Sequence, residues 1–176
     1  MRGPTMISMR RLAVLLLSLG LVAGPAAAAS FVVSDGDGTL NVKDGVGTVF
    51  IGARGAVVGR FDNGSLRIFD PADGDPLDVS VWGKAIVTFP SDTTTVYTGA
   101  NLRFRIVGRF RVNVKGTDVD LSAVGQGKVG LKGTDGTYAF NGDPGKVMPN
   151  EDDLKMFDLA AAGTTGGNQG GGPQGG

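Results

Sequence analysis

The chain of 176 residues carries 17 basic and 17 acidic side chains, 41% hydrophobic residues, no histidine and no cysteine. Those absences exclude disulfide staples, thiolate metal sites, cysteine nucleophiles and histidine general bases, so stability has to come from a packed core. Glu151 is the single glutamate, which leaves aspartate as the carboxylate of any candidate site.

Taken in chain order, Arg10 and Arg11 precede an apolar run over 12–22, then Gly24, Pro25 and the small-residue stretch 26–29 with an A-x-A cleavage site. This is the pattern of a cleavable export signal, and the paired arginines raise the twin-arginine route. Residues 1–29 are expected to be removed and the mature protein to be secreted or held at the cell envelope. The apolar run is shorter than the roughly 20 residues a spanning helix needs, so no membrane span is expected after cleavage. Losing Arg2, Arg10 and Arg11 leaves 14 basic against 17 acidic residues, a net charge of −3, which argues against nucleic acid as a partner.

The mature domain is expected over 30–162. Period-two alternation, β-branched residues and glycine punctuation run from Phe31 to Phe140. Candidate strands are 31–33, 39–42, 48–51, 56–61, 65–69, 77–82, 84–89, 95–98, 101–115, 119–124, 128–132 and 137–140. The intervening "SDGDG", "DNG", "DPADGDP" and "GTDG" have turn chemistry. The fold class is therefore all-β, a single antiparallel β-sandwich or barrel-like domain of about 10 to 12 short strands. Glycines recur every eight or nine residues, at Gly38, Gly47, Gly55 and Gly64, at Gly99, Gly108 and Gly116, and at Gly127 and Gly136, which also suits the half-coils of a β-solenoid. In 150–159, Asn150 can cap a short helix or "LKMFDL" can form an edge strand, the strand being the preferred reading. The last segment, 163–176, is too poor in apolar residues to order itself and is read as a disordered tail.

The most informative stretch is "NLRFRIVGRFRVNVK", 101–115. Its even positions, Leu102, Phe104, Ile106, Phe110, Val112 and Val114, form an apolar inner face, and its odd positions put Arg103, Arg105, Arg109, Arg111 and Lys115 on an outer one. Gly108 falls on the inner face and predicts a bend, a bulge or the close approach of another segment. Guanidiniums at roughly 7 Å intervals can fork onto the carboxylates, sulfates or phosphates of an extended polymer. The plainer account is that neighbouring strands neutralise them, since Asp62, Asp78, Asp118 and Asp120 also occupy outward positions.

Other chemistry is thinner. Asp35 and Asp37, and then Asp70, Asp73, Asp75 and Asp78, cluster without the spacing of a calcium loop, so turn formation explains them and no metal or cofactor is expected. Trp82 falls out of phase with Leu77, Val79 and Val81, and is either a sugar-stacking platform or the plug at the end of a core. The run from Tyr97 to Gly133 resembles a segment of small exported all-β proteins of actinobacteria, through Tyr-Thr-Gly at 97–99, Arg-Phe-Arg at 103–105 and Leu-Ser-Ala-Val-Gly at 121–125. The resemblance implies export and a β-fold, and no functional residues.

Together these readings describe a non-enzymatic exported domain, a structural or binding module at the cell envelope. Its expected partner is an anionic cell-envelope polysaccharide, or another envelope protein, met through Arg103, Arg105, Arg109, Arg111 and Lys115. The alternative is an Asp-dependent glycan-active hydrolase or lyase, which requires a pair of aspartates facing each other across a groove.

Overall fold

The computed structural model describes residues 33–71, 76–150 and 152–162. The expected export signal, the C-terminal tail, and Asp73 and Asp75 lie outside them. The described residues contain no helix. They form one antiparallel sheet that is not closed, made of β1 (Gly38–Phe69), β2 (Asp78–Ser91), β3 (Thr94–Phe140), β4 (Lys146–Val147) and β5 (Lys155–Leu159). The order is β1-β3-β2, with β4 and β5 also paired to β3.

Where many short strands were expected, the segments between 39 and 69 merge into β1 and those between 95 and 140 into β3, because the backbone ladder continues through the glycines. The register explains how such long strands stay compact. Val49 faces Val114 on one side and Leu131 on the other, positions 17 apart on the same strand; Lys115 likewise faces both Thr48 and Ser65. A strand that returns beside itself with one antiparallel segment between must be wound. At about 3.3 Å per residue, one coil of 17 residues is a path of roughly 56 Å. β1 and β3 wind together around one core, and the sheet ends in β2 on one side and in β4 and β5 on the other.

Each coil is divided by two rows of glycine. Gly133, Gly47, Gly116, Gly64 and Gly99 lie side by side across the ladder, and Gly38, Gly125, Gly55 and Gly108 form the second row. The eight-to-nine-residue glycine period of the sequence is thus half a coil. Gly125 and Gly133 continue the rows in place of the expected Gly127 and Gly136; Gly127 stands opposite Ala53. The rows need glycine because the chains meet there. A Cβ on Gly125, whose φ is +146°, would lie 2.8 Å from the Cα of Gly55 and closer still to the Arg54 carbonyl oxygen. Gly108, at φ +129°, is the predicted close approach: a Cβ there would sit 2.9 Å from the Pro76 carbonyl oxygen.

Inward residues from both half-coils meet in a single cluster, with Val49, Ile51, Phe110 and Val112 from one and Val57, Phe61, Phe104 and Ile106 from the other, all at most 2% exposed. Each such side chain contributes about 1.5–3 kcal/mol by leaving water. No buried polar side chain interrupts this core among the described residues. The edge-strand reading near the C-terminus holds, since β5 pairs with β3 over 127–131 and buries Leu159.

Candidate functional site

The glycine rows sort the outward side chains onto two faces. One is built, in ladder order, from 84–88, 94–98, 65–69, 109–115, 48–54, 126–132 and 155–159. At these positions Lys84, Arg67, Arg109, Arg111, Lys115, Arg54, Lys128, Lys132 and Lys155 stand against one acid, Asp158. The other comes from 78–82, 101–107, 56–63, 117–124, 39–46, 134–140 and 146–147. There Arg103, Arg105, Arg60, Lys43 and Lys146 are matched by Asp78, Asp62, Asp118, Asp120, Asp44 and Asp135. They are called the basic face and the mixed face below.

The alternation read from 101–115 is correct: its even-numbered side chains other than Gly108 are buried, and Arg103, Arg109, Arg111 and Lys115 are exposed. The single row is not. The chain crosses a glycine row at Gly108, so Arg103 and Arg105 project from the mixed face while Arg109, Arg111 and Lys115 project from the basic one. Arg105 is half-buried and donates to Asp78 at 2.6 Å, as opposite charges near each other on a ladder do.

On the basic face, Arg109 stands directly opposite Arg54, and Arg111 opposite Gly52, with its guanidinium 5.5 Å from the centre of the Phe69 ring. Lys128 is the next outward residue beyond Gly52 and pairs with Asp158 at 2.5 Å. Arg54, Arg109, Arg111 and Lys128, with Phe50 and Met156, line a groove of about 500 Å³ to which no acidic side chain among the described residues contributes. The side chains of Arg54, Arg67 and Lys115 make no hydrogen bond or ion pair with any described residue. Arg54, Arg67 and Lys128 lie far from 101–115 in the sequence and were not anticipated as part of the site. For Lys128 the usable signal was the glycine period, whose doubling gives the 17-residue offset that sets Arg111 and Lys128 on either side of Gly52.

The mixed face is organised by ion pairs. Arg60 donates from Nε and Nη2 to Oδ2 of Asp120, at 2.8 and 2.6 Å, and the Asp44 amide donates to Oδ1 at 2.9 Å. The Asp44 N–H and then Arg60 hold the Asp120 carboxyl below the usual carboxylate range, against the opposing effect of partial burial. Asp120 in turn keeps Arg60 in its charged form. A carboxylate held this way is suited to fixing an arginine; the acid of a glycoside-cleaving pair needs the opposite shift.

Among the described residues, no group of three or more histidine, cysteine, aspartate or glutamate side chains can hold a metal ion, and no helix is long and apolar enough to cross a membrane. No family model, no curated protein and no solved structure matches the chain.

Proposed function

We propose that the protein is an exported, non-enzymatic binding module of the cell envelope whose basic face holds an anionic polysaccharide. The observation that carries this reading is the groove along which Arg54, Arg109, Arg111 and Lys128 are gathered, lined by four cationic side chains and, among the described residues, by no acidic one. Four cationic side chains gathered along one groove favour an anionic ligand over a neutral one. Arginine forks match carboxylate and sulfate geometry, and side chains repeating at about 7 Å along β3 suit an extended polymer. Of the five residues expected to make this contact, Arg109, Arg111 and Lys115 remain in it, while Arg103 and Arg105 leave it for the mixed face. The same reading treats the coil as a flattened two-walled sandwich with the glycine rows as its corners, supported by the single core that both sets of half-coils share.

The test is co-sedimentation of the purified mature domain with isolated cell-envelope polymer across a salt series, beside an Arg54→Ser, Arg67→Ser, Arg111→Ser variant shown by circular dichroism to be folded. Salt-sensitive binding that the variant loses is the expected result. Equal binding by both proteins, or binding by neither, would refute the reading.

A further inference from the structure

The mixed face carries a second groove whose chemistry differs from that of the basic face. Trp82, Arg103, Arg60 and Asp120 are successive partners across four neighbouring strand segments, so their outward side chains form one line. At about 4.8 Å between strands, that line is roughly 14 Å long. Two openings flank it, one of about 310 Å³ beside Trp82, Asp62 and Asn101, and one of about 500 Å³ beside Lys43 and Asp120; Arg60 and Arg103 belong to both.

Trp82 is 54% exposed, although it is the largest apolar side chain in the protein. Its exposure has a local cause. The ladder slips between Trp82 and Lys84, with Gly83 at φ +120° and Asn101, on the facing strand, at φ +54°. Leu102, fully buried, fills the core beneath: a Cβ on Gly83 would come 2.7 Å from its Cδ2. The core is thus closed by Leu102, and the bulge leaves the indole lying outside it, next to Arg103.

The polar partners are balanced in a way the basic face is not. Lys43, Arg60 and Arg103 meet Asp44, Asp62 and Asp120 in the lining of the two openings. Arg60 is fixed by Asp120, whereas the Arg103 side chain has no hydrogen-bond or ion-pair partner among the described residues. An apolar aromatic platform bordered by both donors and acceptors, with no net charge, fits a ligand that has one apolar ring face and a rim of hydroxyls. We propose that this groove binds an uncharged pyranoside chain, with Trp82 as the stacking platform and Asp62, Asn101 and Arg103 as hydroxyl partners. It does not depend on the polyanion reading of the opposite face.

Because the chain has one tryptophan, intrinsic emission reports on this site alone. The experiment titrates the protein with cellotetraose, maltotetraose and tetra-N-acetylchitotetraose while following tryptophan emission. The expected result is a saturable change with at least one of them, equal at about 50 mM and about 0.5 M salt because no net charge is neutralised. It should weaken about tenfold or more in Arg103→Ala and Asp62→Asn, each costing a hydrogen bond to a charged group. The Arg54→Ser, Arg111→Ser variant of the basic face should leave it unchanged. Absence of a saturable change with all three sugars would overturn the proposal. So would a change that survives both groove variants, or one that follows protein concentration without sugar and so assigns Trp82 to self-association.

Discussion

The basic and mixed faces are built chiefly by β1 and β3 in alternating half-coils, yet they surround their arginines differently. Each face sets two arginines directly opposite each other, Arg60 and Arg103 on the mixed face and Arg54 and Arg109 on the basic one, but Arg60 has Asp120 on its other side and pairs with it, where Arg54 has Gln126. The strand 101–115 contributes to both, so whether a basic residue is neutralised is not a property of its strand. It is decided by residues that the register brings alongside, 60 positions away for Arg60 and Asp120 and 27 for Arg105 and Asp78. Opposite charges across a ladder contribute about 0.2–1 kcal/mol and like charges cost about as much, so the aspartate beside Arg60 offsets what Gln126 beside Arg54 does not.

The largest expected effect removes the comparison altogether. Phe104→Ala deletes a side chain 2% exposed that packs against Gly59, in the core both faces share. It should cost about 3–5 kcal/mol in urea unfolding and melt the two faces in one transition. Next, Gly55→Ala places a Cβ against the Val124 carbonyl oxygen and 2.8 Å from the Cα of Gly125, at the boundary between the faces. A loss of about 1–3 kcal/mol is expected, and a neutral result would mean that the rows are not close-packed corners.

Two smaller effects sharpen the contrast. Arg54→Glu should stabilise the protein by about 0.2–1 kcal/mol by replacing a like-charge pair with an opposite one, whereas Arg60→Glu, facing Asp120, should destabilise it. The Asp120 carboxyl titrates lower in the folded than in the unfolded chain, so its stabilising contribution is present above the unfolded pKa, near 4, and is lost as pH falls through the folded value. Wild type should therefore exceed Asp120→Asn in stability near neutrality, and the gap should narrow as the pH is lowered below about 4. A gap independent of pH would detach this stabilisation from the carboxylate's charge.

Much of this was legible in the sequence. Alternation over 101–115 fixes which side chains enter the core, since a one-residue slip would exchange Phe104 and Phe110 for arginines. Gly108 left a bend, a bulge or a close approach open, and the close approach is to Pro76; the out-of-phase Trp82 left a platform or a core plug open, and it is exposed. What alternation cannot reveal is which strand lies alongside, because register is a long-range property: nothing local to Arg109 says that Arg54 is its neighbour. The glycine period held that information, but half-coils of a wound antiparallel sheet and short strands of a sandwich produce the same spacing. For that reason Arg103 and Arg109 read as members of one row and lie on two faces.

The central claim is that the basic face, and not arginine content as such, binds polyanions. The measurement that tests it most directly is the salt dependence of binding to soluble polygalacturonate by wild type, by the basic-face variant Arg54→Ser, Arg67→Ser, Arg111→Ser, and by a mixed-face variant, Arg60→Ser, Arg103→Ser. Wild type and the mixed-face variant should fall along the same steep line of log affinity against log salt concentration, and the basic-face variant along a shallower and weaker one. Equal losses in both variants, or none in either, would contradict the account.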